Sequence, residues 1–431
     1  MKNLLKFSLI TAIVVFCLNV FTGCKEEGIV IKEKDGKYQL FIDGKPTYIN
    51  GVGGMNRLDI ATENGANAFR TWGGNVERTI ETLAIAKQYN MYVMQGIGMT
   101  KDSASYFNDE YKDRLRKEVA DMANAFKDDP NLLVWGLGNE INLGNANIPA
   151  VWTFVNELAQ IIKSIDKRHL VSSVIAHSAK ALDLIAEYAP DLDLVGINSY
   201  GSIVNVEKMV ADSKYNGAYL ITEWGPTGFW ETTNTSWGAQ LEQTSEEKRI
   251  VYEERYNKYI LASKTCLGSF VFLWGQKQER TPTWFSMFIE NNVEGLPLKG
   301  EKTPQVEAMQ RVWTGTEPAQ TAPVISSYTI DGKKAVESIK IQVGKSFTAT
   351  VDVRDKEGDT LSYVWEILHE ATVLGFGGSY EPRPDRYGDV ITGDINNQLF
   401  AINDAGRYRV FVYVLDNTGF VSTANIPVLV E

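Results

Sequence analysis

Between residues 48 and 276, short apolar runs alternate with segments of helical period, and this alternation restricts the fold more than any other feature. The apolar runs cover 48–52, 66–72, 91–99, 132–140, 170–177, 192–200, 218–224 and 267–276. Helical spacing marks 76–89, 112–127, 148–165, 179–188, 204–214 and 245–262, with a short first helix near 58–63 and a last one over 304–313. A strand buried on both faces reads as a continuous apolar run, and such strands belong to parallel sheets covered by helices. Eight of them joined by helices predict a closed (β/α)8 barrel, a TIM barrel, over residues 28–314. Residues 28–44, turning at Asp35-Gly36, read as a β-hairpin that floors the N-terminal end of the barrel.

The pattern changes after a Pro/Thr/Gly/Ala linker at 315–323. Residues 324–431 carry short strand-like runs at 339–343, 346–353, 361–368, 398–402 and 407–415, separated by turn clusters such as Asp355–Asp359 and Asp416–Gly419. That spacing predicts an immunoglobulin-like β-sandwich of about 100 residues with Trp365 in its core. The excursion 376–394, with Tyr380, Arg383 and Tyr387, is placed to lean onto the barrel. At the other end, Lys2 and Lys6 precede an apolar run and then Phe21-Thr22-Gly23-Cys24. This reads as a lipoprotein signal peptide over 1–24, with Cys24 as the lipidated residue. Lys25-Glu26-Glu27 resembles the acidic tags that send some Gram-negative lipoproteins to the outer cell surface. A chain tethered to the outer membrane by lipid is therefore expected.

The 43 basic and 54 acidic residues give a net charge of −11, which repels nucleic acid and other polyanions. Beyond Cys17 and Cys24 there is only Cys266, and His169, His177 and His369 form no metal-ligand spacing. No metal and no cofactor is expected, and His177 reads as a site-wall or core residue. What remains is carboxylate chemistry, with the chain expected to act as a monomer.

Glu140 follows Asn139 at the end of the fourth apolar run, and Glu223 ends the seventh in Ile221-Thr222-Glu223-Trp224. Side chains at the C-terminal ends of barrel strands face one mouth. Two glutamates there meet the requirement of retaining glycoside hydrolysis, a protonated acid and an ionised nucleophile about 5–5.5 Å apart. Arg70 and Tyr200, near the ends of the second and sixth runs, are the expected donors to the ionised partner. Asn139 is suited to a sugar 2-hydroxyl, and Trp274, near the end of the eighth run, to the face of the ring being cleaved. Trp72, Trp224, Trp230, Trp237 and Trp284 are candidates for flanking subsites, whereas Trp152 and Trp313 fall in helical patterns and read as core.

Trp135-Gly136-Leu137-Gly138-Asn139-Glu140, together with Ile221–Trp224, resembles clan A of the glycoside hydrolases, over residues 48 to about 313. The resemblance implies that Glu140 is the acid/base and Glu223 the nucleophile. A lipoprotein leader, a barrel with no sandwich before it and an immunoglobulin-like domain after it together resemble glycoside hydrolase family 158. That resemblance implies an endo-β-1,3-glucanase acting on laminarin-type β-glucan. The alternatives are a clan A hydrolase or transglycosylase for another β-glycan such as mannan, galactan or mixed-linkage glucan, and a surface glycan-binding lipoprotein without catalysis.

Overall fold

The computed structural model describes residues 28–289, 293–376 and 378–431. The leader and Cys24 lie outside the described residues.

Three antiparallel strands open the fold: β1 (Ile29–Lys34), β2 (Lys37–Ile42) and β3 (Lys45–Thr47). Asp35 and Gly36 both take positive φ, 55° and 73°, which gives the tight turn between β1 and β2. Ile29, Leu40 and Ile42 are buried against Ile49, Ala68, Leu133 and Leu194 at the bottom of the barrel, so this small sheet is the floor.

The barrel strands are β4 (Ile49–Gly53), β5 (Ala68–Arg70), β6 (Tyr92–Ile97), β7 (Leu132–Asn139), β8 (Leu170–Ala176), β9 (Leu194–Asn198), β10 (Tyr219–Trp224) and β11 (Cys266–Val271). All pair in parallel and close in the order β10-β11-β4-β5-β6-β7-β8-β9. Between and after them run α1 (Leu58–Glu63), α2 (Val76–Tyr89), α3 (Asp109–Phe126), α4 (Pro149–Ile165), α5 (Ala179–Tyr188), α6 (Val206–Asp212), α7 (Ser245–Arg255) and α8 (Pro304–Thr314). This is the (β/α)8 barrel expected from the sequence.

Local chemistry sets the helix starts. Asn75, Asn108 and Ser178 accept the backbone N–H of Arg78, Tyr111 and Ala181, and Thr244 with Glu247 forms a reciprocal capping box. Proline opens α4 and α8, where its missing N–H would have had no helical partner. The main core lies between strands and helices and includes Trp135, Trp152, Leu158 and Ile221. Inside the barrel the packing is tight: a Cβ on Gly51 would lie 2.3 Å from the ring of Phe270.

The C-terminal strands are β12 (Val324–Ile330), β13 (Lys340–Ile341), β14 (Ser346–Arg354), β15 (Ser362–His369), β16 (Arg386–Gly393), β17 (Asn397–Ala401), β18 (Gly406–Leu415) and β19 (Val421–Val430). They form a sheet β12-β14-β17 facing a sheet β13-β19-β18-β15-β16, with Trp365 between them at 1% exposure. The outer face of the larger sheet is also covered. Val364, Leu368, Phe411, Tyr413 and Leu415 pack on Ile289, Leu296 and Leu298, from the long segment between β11 and α8. Residues 302 and 419–421 join barrel and sandwich by backbone, the Lys302 N–H donating to Gly419 O and the Val421 N–H to Lys302 O.

The excursion 376–394 divides. Its later part is β16, an edge strand on β15, and Arg383 and Arg386 turn back to the fully buried Glu366 of their own domain. Its earlier part reaches the barrel: Glu381 pairs with Arg280 at 2.6 Å, and Lys277 Nζ donates to Gly378 O at 2.9 Å.

Candidate active site

Each candidate carboxylate follows an irregularity in its strand. On β7 the register against β8 slips between Leu137 and Asn139, with Gly138 at φ +73°. On β10 the register against β9 slips between Ile221 and Glu223. A bulge adds one residue on one side and re-aims the side chains that follow it. Glu140 itself sits at φ +52°, a conformation that costs a non-glycine residue on the order of 1 kcal/mol or more and is concentrated at functional sites. Its N–H is held by Val174 O at 2.9 Å.

Glu223 is 7% exposed and accepts three hydrogen bonds. Arg70 Nη1 donates to its Oε1 at 3.0 Å, the Trp72 indole N–H to the same oxygen at 2.6 Å, and the Tyr200 hydroxyl to its Oε2 at 3.0 Å. Burial and the two glutamates push the Tyr200 phenol well above its ordinary value, so Tyr200 keeps its proton and donates. Arg70 is 2% exposed and also donates to Thr222 O at 2.8 Å and to Asn139 Oδ1 at 2.6 Å.

Glu140 is held differently. Asn198 Nδ2 donates to its Oε1 at 3.1 Å, and Lys101 Nζ lies 3.5 Å from its Oε2. Burial first, and then the charge of Glu223, raise its carboxyl above the usual carboxylate range; Lys101, Asn198 and Arg70 pull the other way. One glutamate is thus gripped by three donors while the other is biased towards its protonated form. That split divides an anion from an acid.

Asn198 ties the two halves together. Its Nδ2 also reaches Asn139 Oδ1 at 3.2 Å, and its Oδ1 accepts from Arg70 Nη1 at 3.3 Å and from the Thr222 hydroxyl at 2.7 Å. With its oxygen taken by Arg70 and Asn198, Asn139 has its amide NH2 left for a ligand. Asn198 lies in the same run as Tyr200, but no glutamate follows it as Glu140 follows Asn139, so the sequence does not single it out. Lys101 and Phe272 were also not foreseen. Phe272 lies edge-on to Trp72 at 5.8 Å and to Tyr200 at 6.1 Å.

The tryptophans separate. Trp72 is half-buried at Glu223, and Trp230 is exposed, edge-on to Tyr200 at 5.3 Å. Trp274, Trp224 and Trp284 are buried and offer no face to a sugar. β11 ends at Val271, so Trp274 lies beyond the strand and packs on Phe288 and Trp313, its N–H donating to Arg57 O. Trp224 follows the mouth-facing Glu223 directly, and alternation along a strand sends it to the opposite face, onto Tyr252 and Tyr256. Trp284 is held inside a loop by Thr227 O and Phe229. Trp237 is partly buried and Trp152 wholly so. His177 donates to or accepts from the Ser199 hydroxyl at 3.0 Å, and burial lowers its pKa. Among the described residues no group of three His, Cys, Asp or Glu side chains is placed to hold a metal ion.

Residues 54–185 match the family model described as GH family 5 beta-mannosidase-like. A protein of Aspergillus terreus named "Probable mannan endo-1,4-beta-mannosidase A-2" is 22% identical over 161 residues, 35% of this chain and 36% of that one. A "Probable mannan endo-1,4-beta-mannosidase A" of Aspergillus flavus is 25% identical over 168 residues, 35% of this chain and 42% of that one. The chain therefore spans less than half the length of either relative. The structure of a β-D-glucuronidase of Dictyoglomus thermophilum superposes with a TM-score of 0.50 at 13% identity, over 67% of this chain and 54% of that one. That likeness is one of fold.

Proposed function

We propose that this chain is a retaining β-glycan hydrolase in which Glu140 is the acid/base and Glu223 the nucleophile. The observation that carries the reading is the unequal setting of the two carboxyls: three donors on Glu223, burial and a like charge beside Glu140. Glu223 attacks the anomeric carbon while Glu140 gives its proton to the departing glycosidic oxygen, and the C–O bond breaks to leave a glycosyl ester on Glu223. Glu140, now ionised, takes a proton from water, and the water oxygen displaces Glu223. Two inversions leave the anomeric configuration unchanged. The Asn139 amide NH2 would donate to the sugar 2-hydroxyl.

Within this class we put forward an endo-β-1,3-glucanase acting on laminarin-type glucan, supported by the order of leader, barrel and sandwich. A β-1,4-mannan is the second reading, supported by the match over residues 54–185 and by the Aspergillus relatives. Purified protein offered laminarin, β-1,4-mannan, galactan, β-1,4-glucan and mixed-linkage glucan should cleave one of the first two best, with short oligosaccharides as products. Proton NMR of the first product should show the β-anomer. An α-anomer refutes the role pair, and no cleavage of any glycan refutes the hydrolase. Attachment to the outer membrane through Cys24 belongs to the same proposal; with Cys24→Ala, the protein should leave the membrane fraction.

A further inference from the structure

We infer that Phe376 and Tyr380, on the loop that follows β15 in the sandwich domain, form a remote sugar subsite of the barrel's cleft. The inference rests on the hydrolase reading above and adds a binding surface contributed by the second domain. Four apolar or aromatic side chains stand out on this one loop: Val373 at 60% exposure, Leu374 at 52%, Phe376 at 69% and Tyr380 at 85%. Apolar surface gathered in this way marks a place where something binds.

Gly375 and Phe376 before residue 377, and Gly378 after it, are also held in place. The Glu381 carboxylate is fully buried and accepts the Gly375 N–H at 2.8 Å, the Arg280 N–H at 2.6 Å and Arg280 Nη1 at 2.6 Å. The Phe376 N–H donates to Ser379 Oγ at 2.8 Å. A buried, fully bonded carboxylate therefore pegs an apolar tip that is left facing water.

The position of the tip identifies the occupant. Phe376 lies 5.9 Å from the ammonium of Lys101, which is 3.5 Å from Glu140 Oε2. On the other side Lys277, bonded to Gly378 O, lies 5.8 Å from the ring of Phe272, which borders Trp72 and Tyr200. Arg280 lies 4.1 Å over Phe229, which packs on Trp230. The tip thus reaches both the segment after β6 and the segment after β11, and in the barrel order these strands flank β4 and β5 and bound that arc of the mouth. A glycan extending from Glu140 and Glu223 along that arc meets Phe376 and Tyr380, whose rings suit the apolar faces of pyranoses.

The test compares the wild type with Phe376→Ala/Tyr380→Ala on an aryl β-glycoside, which ends at the cleavage point, and on laminarihexaose and β-1,4-mannohexaose. For the hexaose that is cleaved, kcat/KM should fall about tenfold or more in the variant, while the aryl glycoside is hydrolysed within about twofold of wild type. An unchanged rate on the hexaose, or an equal loss on both substrates, overturns the subsite. Calorimetry of hexaose binding to Glu140→Gln protein, with and without the two alanines, separates this idea from the reading it rests on. Binding lost with the alanines supports the subsite even if wild type hydrolyses nothing, an outcome that would sink the hydrolase alone. Binding unaffected by them sinks the subsite even if hydrolysis is confirmed.

Discussion

Glu140 stands between opposing influences. Burial and Glu223 favour its protonated form, and the Lys101 ammonium 3.5 Å away favours the ionised one. In the acid/base role proposed for it, Glu140 must give a proton and then take one back, and the balance sets the pH range in which it can do both. Activity that needs protonated Glu140 falls as pH rises through its pKa. Lys101→Met removes the cation, raises that pKa further and should move the alkaline limb of kcat/KM to higher pH; a limb that stays or moves down refutes this role for Lys101. Glu140→Ala should lose about 10²–10⁴-fold on a glycan, keep most of the first step on an aryl glycoside with a good leaving group, and give a β-glycosyl azide when azide is added. Both glutamates were legible in the sequence because each ends an apolar run, and Arg70 and Tyr200 were legible for the same reason. Lys101 was not: it follows its strand in a connecting segment, where nothing periodic marks direction. Trp224 is legible for a different reason, since Glu223 beside it faces the mouth and alternation turns Trp224 outward to the helices.

At the scale of elements, the order and type of every barrel strand and helix could be read from periodicity, and the misreadings sit at ends. The eighth strand stops at Val271 because the chain turns there, the Leu273 N–H going to Phe285 O of the following loop. The bulges beside Glu140 and Glu223 left no readable mark except Gly138. One signal was present and unused: Val410-Phe411-Val412-Tyr413-Val414-Leu415 does not alternate, as a one-sided sandwich strand would, and β18 proves buried on both faces. α8 carries a measurable consequence. Glu307, 3% exposed, is pushed by burial from 4.5 up to about 7, although it accepts the Ala322 N–H of the linker and pairs with Arg311. A raised carboxyl stabilises the fold below pH 4.5 and loses that contribution as pH climbs to about 7. The difference is 7 − 4.5 = 2.5 pH units, or about 3 kcal/mol. Denaturant unfolding of Glu307→Gln should therefore match wild type near pH 4.5 and exceed it at pH 8; a constant gap across that range refutes the assignment.

At the scale of the whole molecule, barrel and sandwich share a core and a buried polar seam. Glu242 and Lys248 pair at 2.6 Å with 1% exposure each, Asn425 Nδ2 donates to Glu242 at 2.6 Å, and Arg409 Nη2 donates to Gln240 O at 2.6 Å. Calorimetry should show one cooperative unfolding transition instead of two. Lys248→Met removes the cation bonded to the buried Glu242 carboxylate, leaving only the charge of Arg409 nearby, and should cost about 3–5 kcal/mol, read as a lower denaturant midpoint for barrel and sandwich together. The doubly covered sheet has a further consequence for how the chain comes into being. Synthesis runs from the N-terminus, so β4 to β11, with both glutamates, exist before the strands that cover Ile289, Leu296 and Leu298 have been made. A nascent chain paused at the linker carries every residue of the proposed reaction and yet has an uncovered apolar flank. Catalysis should therefore switch on late, when the last hundred or so residues dock, and a gene shortened to the barrel should yield aggregate and not a smaller enzyme.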